Sequence, residues 1–219
     1  MIFDLFRNRG GESLDRVATK IEAMLRNDRH AFDLAMAALM AEKPAAEVND
    51  EVRATDQAVN RLEREIRREL LVHTSVYGAF DTPAVLVHMS IVKDVERVGD
   101  YAKNLLDLAR DGSNFSEVDD AVGWGRLATE ISALISDAGE AFLAHDRDRS
   151  LDVRSRGEIL LRSFDEQVTA LVSGQDRAPQ GIARALAYRY LKRIVAHLMN
   201  LVSAVIMPLD QLDHFDEDP

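Results

Sequence analysis

Glu96 and Asp100 stand four residues apart in the stretch Val92-Lys-Asp-Val-Glu-Arg-Val-Gly-Asp-Tyr-Ala-Lys-Asn104. Four residues is just over one helical turn, so on a helix both carboxylates project from one side, with Asn104 a turn further on. Ile91, Val95, Val98, Ala102 and Leu105 recur at steps of four, three, four and three, the seam of an amphipathic helix, and the acids run beside that seam. Like charges at this spacing repel and contribute nothing to helix stability. Asp56, Asn60 and Glu63 form a second such row in an earlier segment. If the two helices are neighbours, Glu96, Asp100, Asp56 and Asn60 can offer oxygen ligands to a divalent or trivalent metal such as Fe, Mn, Zn or Mg. The alternative is that each carboxylate pairs with a nearby arginine, for instance Arg97 or Arg53.

Composition narrows the chemistry. The chain has 219 residues, 38 Asp+Glu against 27 Lys+Arg, a net charge of -11 and no Cys. Thiolate ligands and disulfides are therefore excluded, and a metal must be held by oxygen or imidazole. So acidic a surface argues against nucleic-acid binding, which is built on Lys and Arg neutralising phosphates. No apolar run approaches the roughly 18–20 residues that span a bilayer, and the N-terminus lacks the pattern of a signal peptide. The expected location is cytoplasmic.

The elements that must position these residues read as helices throughout. Residues 1–11 form a segment of their own: Ile2, Phe3, Leu5 and Phe6 with Arg7 and Arg9 precede Gly10-Gly11, and suit packing on the protein itself, a dimer contact, a partner or a membrane surface. Ser13 is a suitable N-cap for a helix carrying Val17, Ile21, Met24, Leu25, Phe32, Leu34, Met36 and Leu39 to about Glu42. A second helix starts near Glu47 on the seam Val52, Val59, Leu62, Ile66 and Leu70. Its face over 61–69 alternates in sign and pairs Glu63 with Arg67, which is the pattern of a solvated, salt-bridged surface. Thr82 as N-cap and Pro83 at the first helical position open the third helix, which ends near Gly112. Residues 113–120 read as a linker.

The remainder of the chain looks like a second copy. Arg16-Val-Ala-Thr-Lys-Ile-Glu-Ala-Met-Leu25 aligns with Arg126-Leu-Ala-Thr-Glu-Ile-Ser-Ala-Leu-Ile135, and Leu161, Phe164 and Val168 echo Val59, Leu62 and Ile66. The last helix lays Leu191–Asn200 over Val95–Asn104 and runs to about Pro208. A period near 100 residues is a duplicated domain and not a solenoid. The expected fold is all-α, two tandem three-helix bundles related by pseudo-symmetry: a first repeat over 12–112, a second, degenerate repeat over 121–211, and an acidic tail over 212–219. In the second copy Glu158 and Arg162 replace Asp56 and Asn60, while Lys192 and Ala196 replace Glu96 and Asp100. A cation site is expected in the first repeat alone.

The stretch Val95-Glu-Arg-Val-Gly-Asp-Tyr-Ala-Lys-Asn104 resembles the Glu-Arg-Ile-Gly-Asp-His-Ala-x-Asn signature of the PhoU family of phosphate-signalling regulators, and the duplicated three-helix pattern agrees over nearly the whole chain. Here Tyr101 replaces the common His, and Asn60 replaces the usual second Asp of the second-helix motif. The resemblance implies a non-enzymatic, cytoplasmic, self-associating regulator, peripheral to the membrane through its partners. It would couple a phosphate transporter subunit to a sensor histidine kinase and restrain the phosphate-starvation response. It also implies metal binding at Glu96, Asp100, Asp56 and Asn60. Two other readings remain: a helical adaptor of another transporter, and a carboxylate-bridged di-metal enzyme. The enzyme needs a Glu-x-x-His pair on each of two helices, and none of the six His has Glu three residues before it.

Overall fold

The structure is a computed structural model that describes residues 11–174 and 179–207, without the side chains of residues 79 and 80. The N-terminal apolar segment through residue 10, Pro208 and the acidic tail lie outside the described residues, and the last helix closes at Ile206 with Met207 as its C-cap. Among the described residues there are six α-helices and no strand: α1 Gly11–Leu39, α2 Ala45–Tyr77, α3 Thr82–Arg110, α4 Ala121–Leu143, α5 Arg147–Val172 and α6 Gly181–Ile206. Short 3-10 turns at Gly78–Asp81 and Phe115–Glu117 join α2 to α3 and α3 to α4.

The apolar seams dictate the packing. Every seam position expected in α1 and α3 is buried, from Val17 to Leu39 in one and from Ile91 to Leu105 in the other. Helix α1 packs on both α2 and α3, and α2 on α3, which is the first three-helix bundle. In the second half α5 packs mainly on α6. Its seam is rotated from the expected one. Val153, Gly157, Leu160 and Phe164 are buried, whereas Leu161 and Val168 lie at the edge of the core. Gly157 lies against the Met199 side chain of α6, which would have to shift to admit a Cβ there.

The two halves share one continuous core. Helix α4 carries only Arg126, Glu130, Asp137 and Glu140 as charged residues, so it is apolar on most sides and lies against α1 as well as α5 and α6. Small residues allow that contact. Gly139 faces the Leu25 side chain, and Ser132 and Ser136 accept hydrogen bonds from the Arg29 guanidinium at 3.0 and 3.1 Å. Helix α3 in turn packs on α6. The segment between the halves is itself held: Phe115 is buried against Trp124, ring centroids 4.5 Å apart, and the Gln180 amide bonds both the N–H and the C=O of Asn114.

Some helix ends differ from expectation. Ser13 lies within α1 and not ahead of it, and α2 begins at Ala45 behind Pro44. Helix α3 starts at Thr82, which makes Asp81 the N-cap in place of Thr82. The Asp81 carboxylate is engaged elsewhere, with Oδ2 3.0 Å from Nε2 of His73 and both side chains buried. This pair ties the end of α2 to the start of α3.

His88 on α3 is buried, its Nδ1 2.7 Å from the Ala84 carbonyl oxygen and its ring edge-on to Phe142. Burial pushes its pKa down from 6.5 to about 4, the backbone bond opposing this only in part. The folded value is depressed below the unfolded one, so the contribution to stability is full above about pH 6.5 and is lost as pH falls towards 4. The shift corresponds to about 3 kcal/mol. Urea unfolding at pH 7 and pH 4.5 is expected to show a smaller loss of stability in His88→Leu than in the wild type; equal losses would show that His88 is not the titrating group.

Candidate functional site

Three helices of the first half meet around the expected acids, and the structure brings those acids together. Asp56 and Asn60 lie on α2, and Glu96 and Asp100 on α3. The rows face one another across the α2–α3 contact, as the spacing requires. Between them, however, stands a lysine. Lys103 places Nζ 2.6 Å from Asp56 Oδ1 and 2.9 Å from Asp100 Oδ1, so one ammonium bridges the two helices. Burial lowers its pKa and the two carboxylates raise it, with a net increase, so the group is charged throughout the physiological range.

Other side chains pair with these acids, although Glu96 Oε2 is buried with no hydrogen-bond partner, only an ion pair. The Asn60 amide donates to Asp56 Oδ2 at 3.2 Å. Arg97 NH1 lies 3.1 Å from Asp100 Oδ2, and Lys93 Nζ lies 2.6 Å from Glu96 Oε2. The alternative of arginine pairing is thus realised at Arg97. It is not realised at Arg53, which donates to Asn49 within α2. Glu63 pairs with Arg67 at 3.0 Å, as its spacing on the solvated face foretells.

The acid that the motif spacing did not reveal is Asp28 of α1. It is 1% exposed, and neither carboxylate oxygen has a hydrogen-bond partner. It packs directly on Gly99, where an added Cβ would run into the carboxylate; this is the reason for glycine in the centre of the Glu96–Asp100 motif. Desolvation, joined by the charges of Glu96, Asp56 and Asp100, raises its pKa well above the usual carboxylate value, and Lys103 opposes this. A signal was present in the sequence. Asp28 falls on the α1 seam between Met24 and Phe32, at the four-residue step where an apolar residue is expected.

A metal ion does not suit this arrangement. The ammonium of Lys103 fills the crossing between Asp56 and Asp100, Asn60 turns an N–H donor towards Asp56, and among the described residues no three Asp, Glu or His side chains converge as a ligand set. Charge is balanced instead by side chains.

A second polar seam joins the halves. Asp94 Oδ1 of α3 lies 2.8 Å from His197 Nδ1 and accepts from the Asn200 amide at 2.9 Å, both on α6. Tyr101 stacks on His197 and Tyr190, with centroids 5.8 and 6.1 Å away, and accepts a bond from Arg193. Tyr101 therefore faces α6 and not the acids. His197 is an interface residue, as its apolar neighbours in the sequence suggest.

Comparison with known proteins agrees with this architecture. The sequence model of the PhoU domain matches residues 21–109, which run from α1 to the end of α3. Among solved structures, PhoU from Pseudomonas aeruginosa superposes with a TM-score of 0.77 at 24% identity, covering 90% of this chain and 97% of that one. The phosphate transport system regulatory protein PhoU from Streptococcus pneumoniae superposes with a TM-score of 0.74 at 16% identity, covering 98% of each chain. No curated protein matches significantly by sequence.

Asp28 carries a sharp expectation. Its folded pKa is raised, so it favours folding only below the unfolded carboxylate value and loses that contribution as pH rises through the folded one. Asp28→Asn, which keeps the shape and removes the titration, is expected to be more thermally stable than the wild type at pH 7.5, by about 2–4 °C per kcal/mol for a chain of this size. The gap should narrow towards pH 4 in scanning calorimetry. An Asn variant less stable than the wild type at pH 7.5 would refute the account.

Proposed function

Because residues 21–109 match the PhoU domain and the chain takes the fold of PhoU proteins, we propose that it is a non-enzymatic regulator of phosphate transport. It binds at the cytoplasmic side of a phosphate transporter and reports the transporter's state to a sensor histidine kinase, restraining the starvation response while phosphate is ample. The observation that carries this reading is the domain match, which covers most of the first bundle including the Glu96–Asp100 motif.

The physical features suit such a role. Among the described residues no helix is long and apolar enough to cross a membrane, so contact with a transporter is made through a docking surface. A net charge of -11 favours a basic partner surface and speeds encounter with it. Exposed apolar side chains, Leu71, Val72 and Val76 near the end of α2 and Ile182 and Leu186 at the start of α6, supply area for a partner or a second copy. Two halves fused through one core respond as a unit. A partner bound to one half can then bias what binds the other, provided that it distinguishes two arrangements of the helices.

Affinity capture of the tagged chain from phosphate-replete cells with solubilised membranes, followed by mass spectrometry, tests the reading. The expected companions are the ATPase subunit of a phosphate transporter and a sensor histidine kinase. Recovery of a transporter for a different solute, or of the chain alone, would show that the fold was retained and the function was not.

A further inference from the structure

The acidic site of the first bundle holds an ion of its own. We propose that Lys103 is its resident cation, a tethered ammonium standing where a metal ion would otherwise bridge α2 and α3, and that the bundle is assembled without metal.

The geometry supports this at each point. Nζ of Lys103 reaches Asp56 on one helix and Asp100 on the other at 2.6 and 2.9 Å, the distances of charge-assisted hydrogen bonds. Asn60 in place of a carboxylate removes one negative charge, and its amide donates to the same Asp56, as suits a site balanced by a single positive charge. Asp28 closes the floor, buried and without a hydrogen-bond partner, against Gly99. Lys93 and Arg97 complete the charge balance from outside.

The second half has a Lys–Asp contact of its own at a different register, where Met199 takes the place of Lys103. Lys192, at the position equivalent to Glu96, bridges α6 to α5 through both oxygens of Asp165 at 2.8 and 2.7 Å. Each half thus joins its middle and last helices by a Lys–Asp contact. A lysine suits the role because its charge is a compact point on a flexible stem that donates in three directions. A divalent ion could enter the first site only by displacing that ammonium.

The test uses the full chain, needs neither phosphate nor transporter, and is independent of the regulatory reading. After chelator treatment and dialysis, Mn2+ is titrated into the wild type, Lys103→Met and Lys43→Met, the last in the exposed turn between α1 and α2, with binding followed by electron paramagnetic resonance and thermal midpoints recorded alongside. The wild type is expected to show no saturable site below millimolar Mn2+ and no change of midpoint in chelator. Lys103→Met is expected to have a lower midpoint, to bind one Mn2+ at least about tenfold more tightly, and to regain midpoint as Mn2+ is added. Lys43→Met should bind as the wild type does. Stoichiometric Mn2+ on the wild type, or a folded Lys103→Met that binds no more than the wild type, overturns the proposal. If Lys103→Met does not fold, the wild-type titration decides: saturable binding overturns the proposal, and its absence with an unchanged midpoint in chelator supports it.

Discussion

The first bundle is built around a charge problem. Asp56, Glu96 and Asp100, on two helices, lie near enough to the buried Asp28 of a third to repel its charge, and the repulsion is stronger where water is excluded. Two of the structure's choices follow from that repulsion. Asp28 is buried, which raises its pKa, and it packs where Gly99 leaves room on α3. The partly exposed acids draw in Lys103, Arg97 and Lys93. A carboxyl group on a helix seam weakens the α1–α3 contact, and the neighbouring acids add to that cost.

The helices themselves are legible in the sequence because apolar periodicity survives any reasonable choice of partner. Ile91 to Leu105 could face nothing but a core, and they do. The site is legible only in part. The two acidic rows are visible because each is a local pattern on one helix. Asp28 and the Lys103–Asp56 contact belong to the site through tertiary packing, which no spacing within a helix records. Asp28 also contradicts its own surroundings, being a polar residue on an apolar seam; such conflicts between local pattern and global packing mark places where a sequence is constrained by something other than stability. Lys103 stands three residues after Asp100, a spacing that marks their local pair, yet nothing on α3 records that it also reaches Asp56. The cap expected at Thr82 fails for a similar reason. Asp81 precedes it and is a capping residue by type, yet its carboxylate pairs with His73 across the turn, a contact fixed by how α2 ends.

The duplication is visible when the halves are aligned, but alignment says little about how they join. The structure joins them through α1 with α4 and α3 with α6. Each of these pairs has a feature that a free-standing bundle would not need: α4 is apolar on most sides, and α3 carries Asp94 and Tyr101 towards His197, Asn200 and Tyr190. Tyr101 shows how a departure from a family signature can be local. The position turns away from the acids, so an aromatic ring that stacks on α6 leaves the cation site untouched.

The same helix therefore serves two contacts from two faces. One face of α3 holds Glu96, Asp100 and Lys103 against α2, and another holds Asp94 and Tyr101 against α6, all within about two turns. Rotating or sliding α3 to relieve one set would strain the other, because the ion pairs and stacked rings both depend on register. Helix packing of this kind switches between discrete arrangements and does not deform smoothly. A shift of α3 against α2 is therefore also a shift against α6, while α1 and α4 hold the halves together at a second contact.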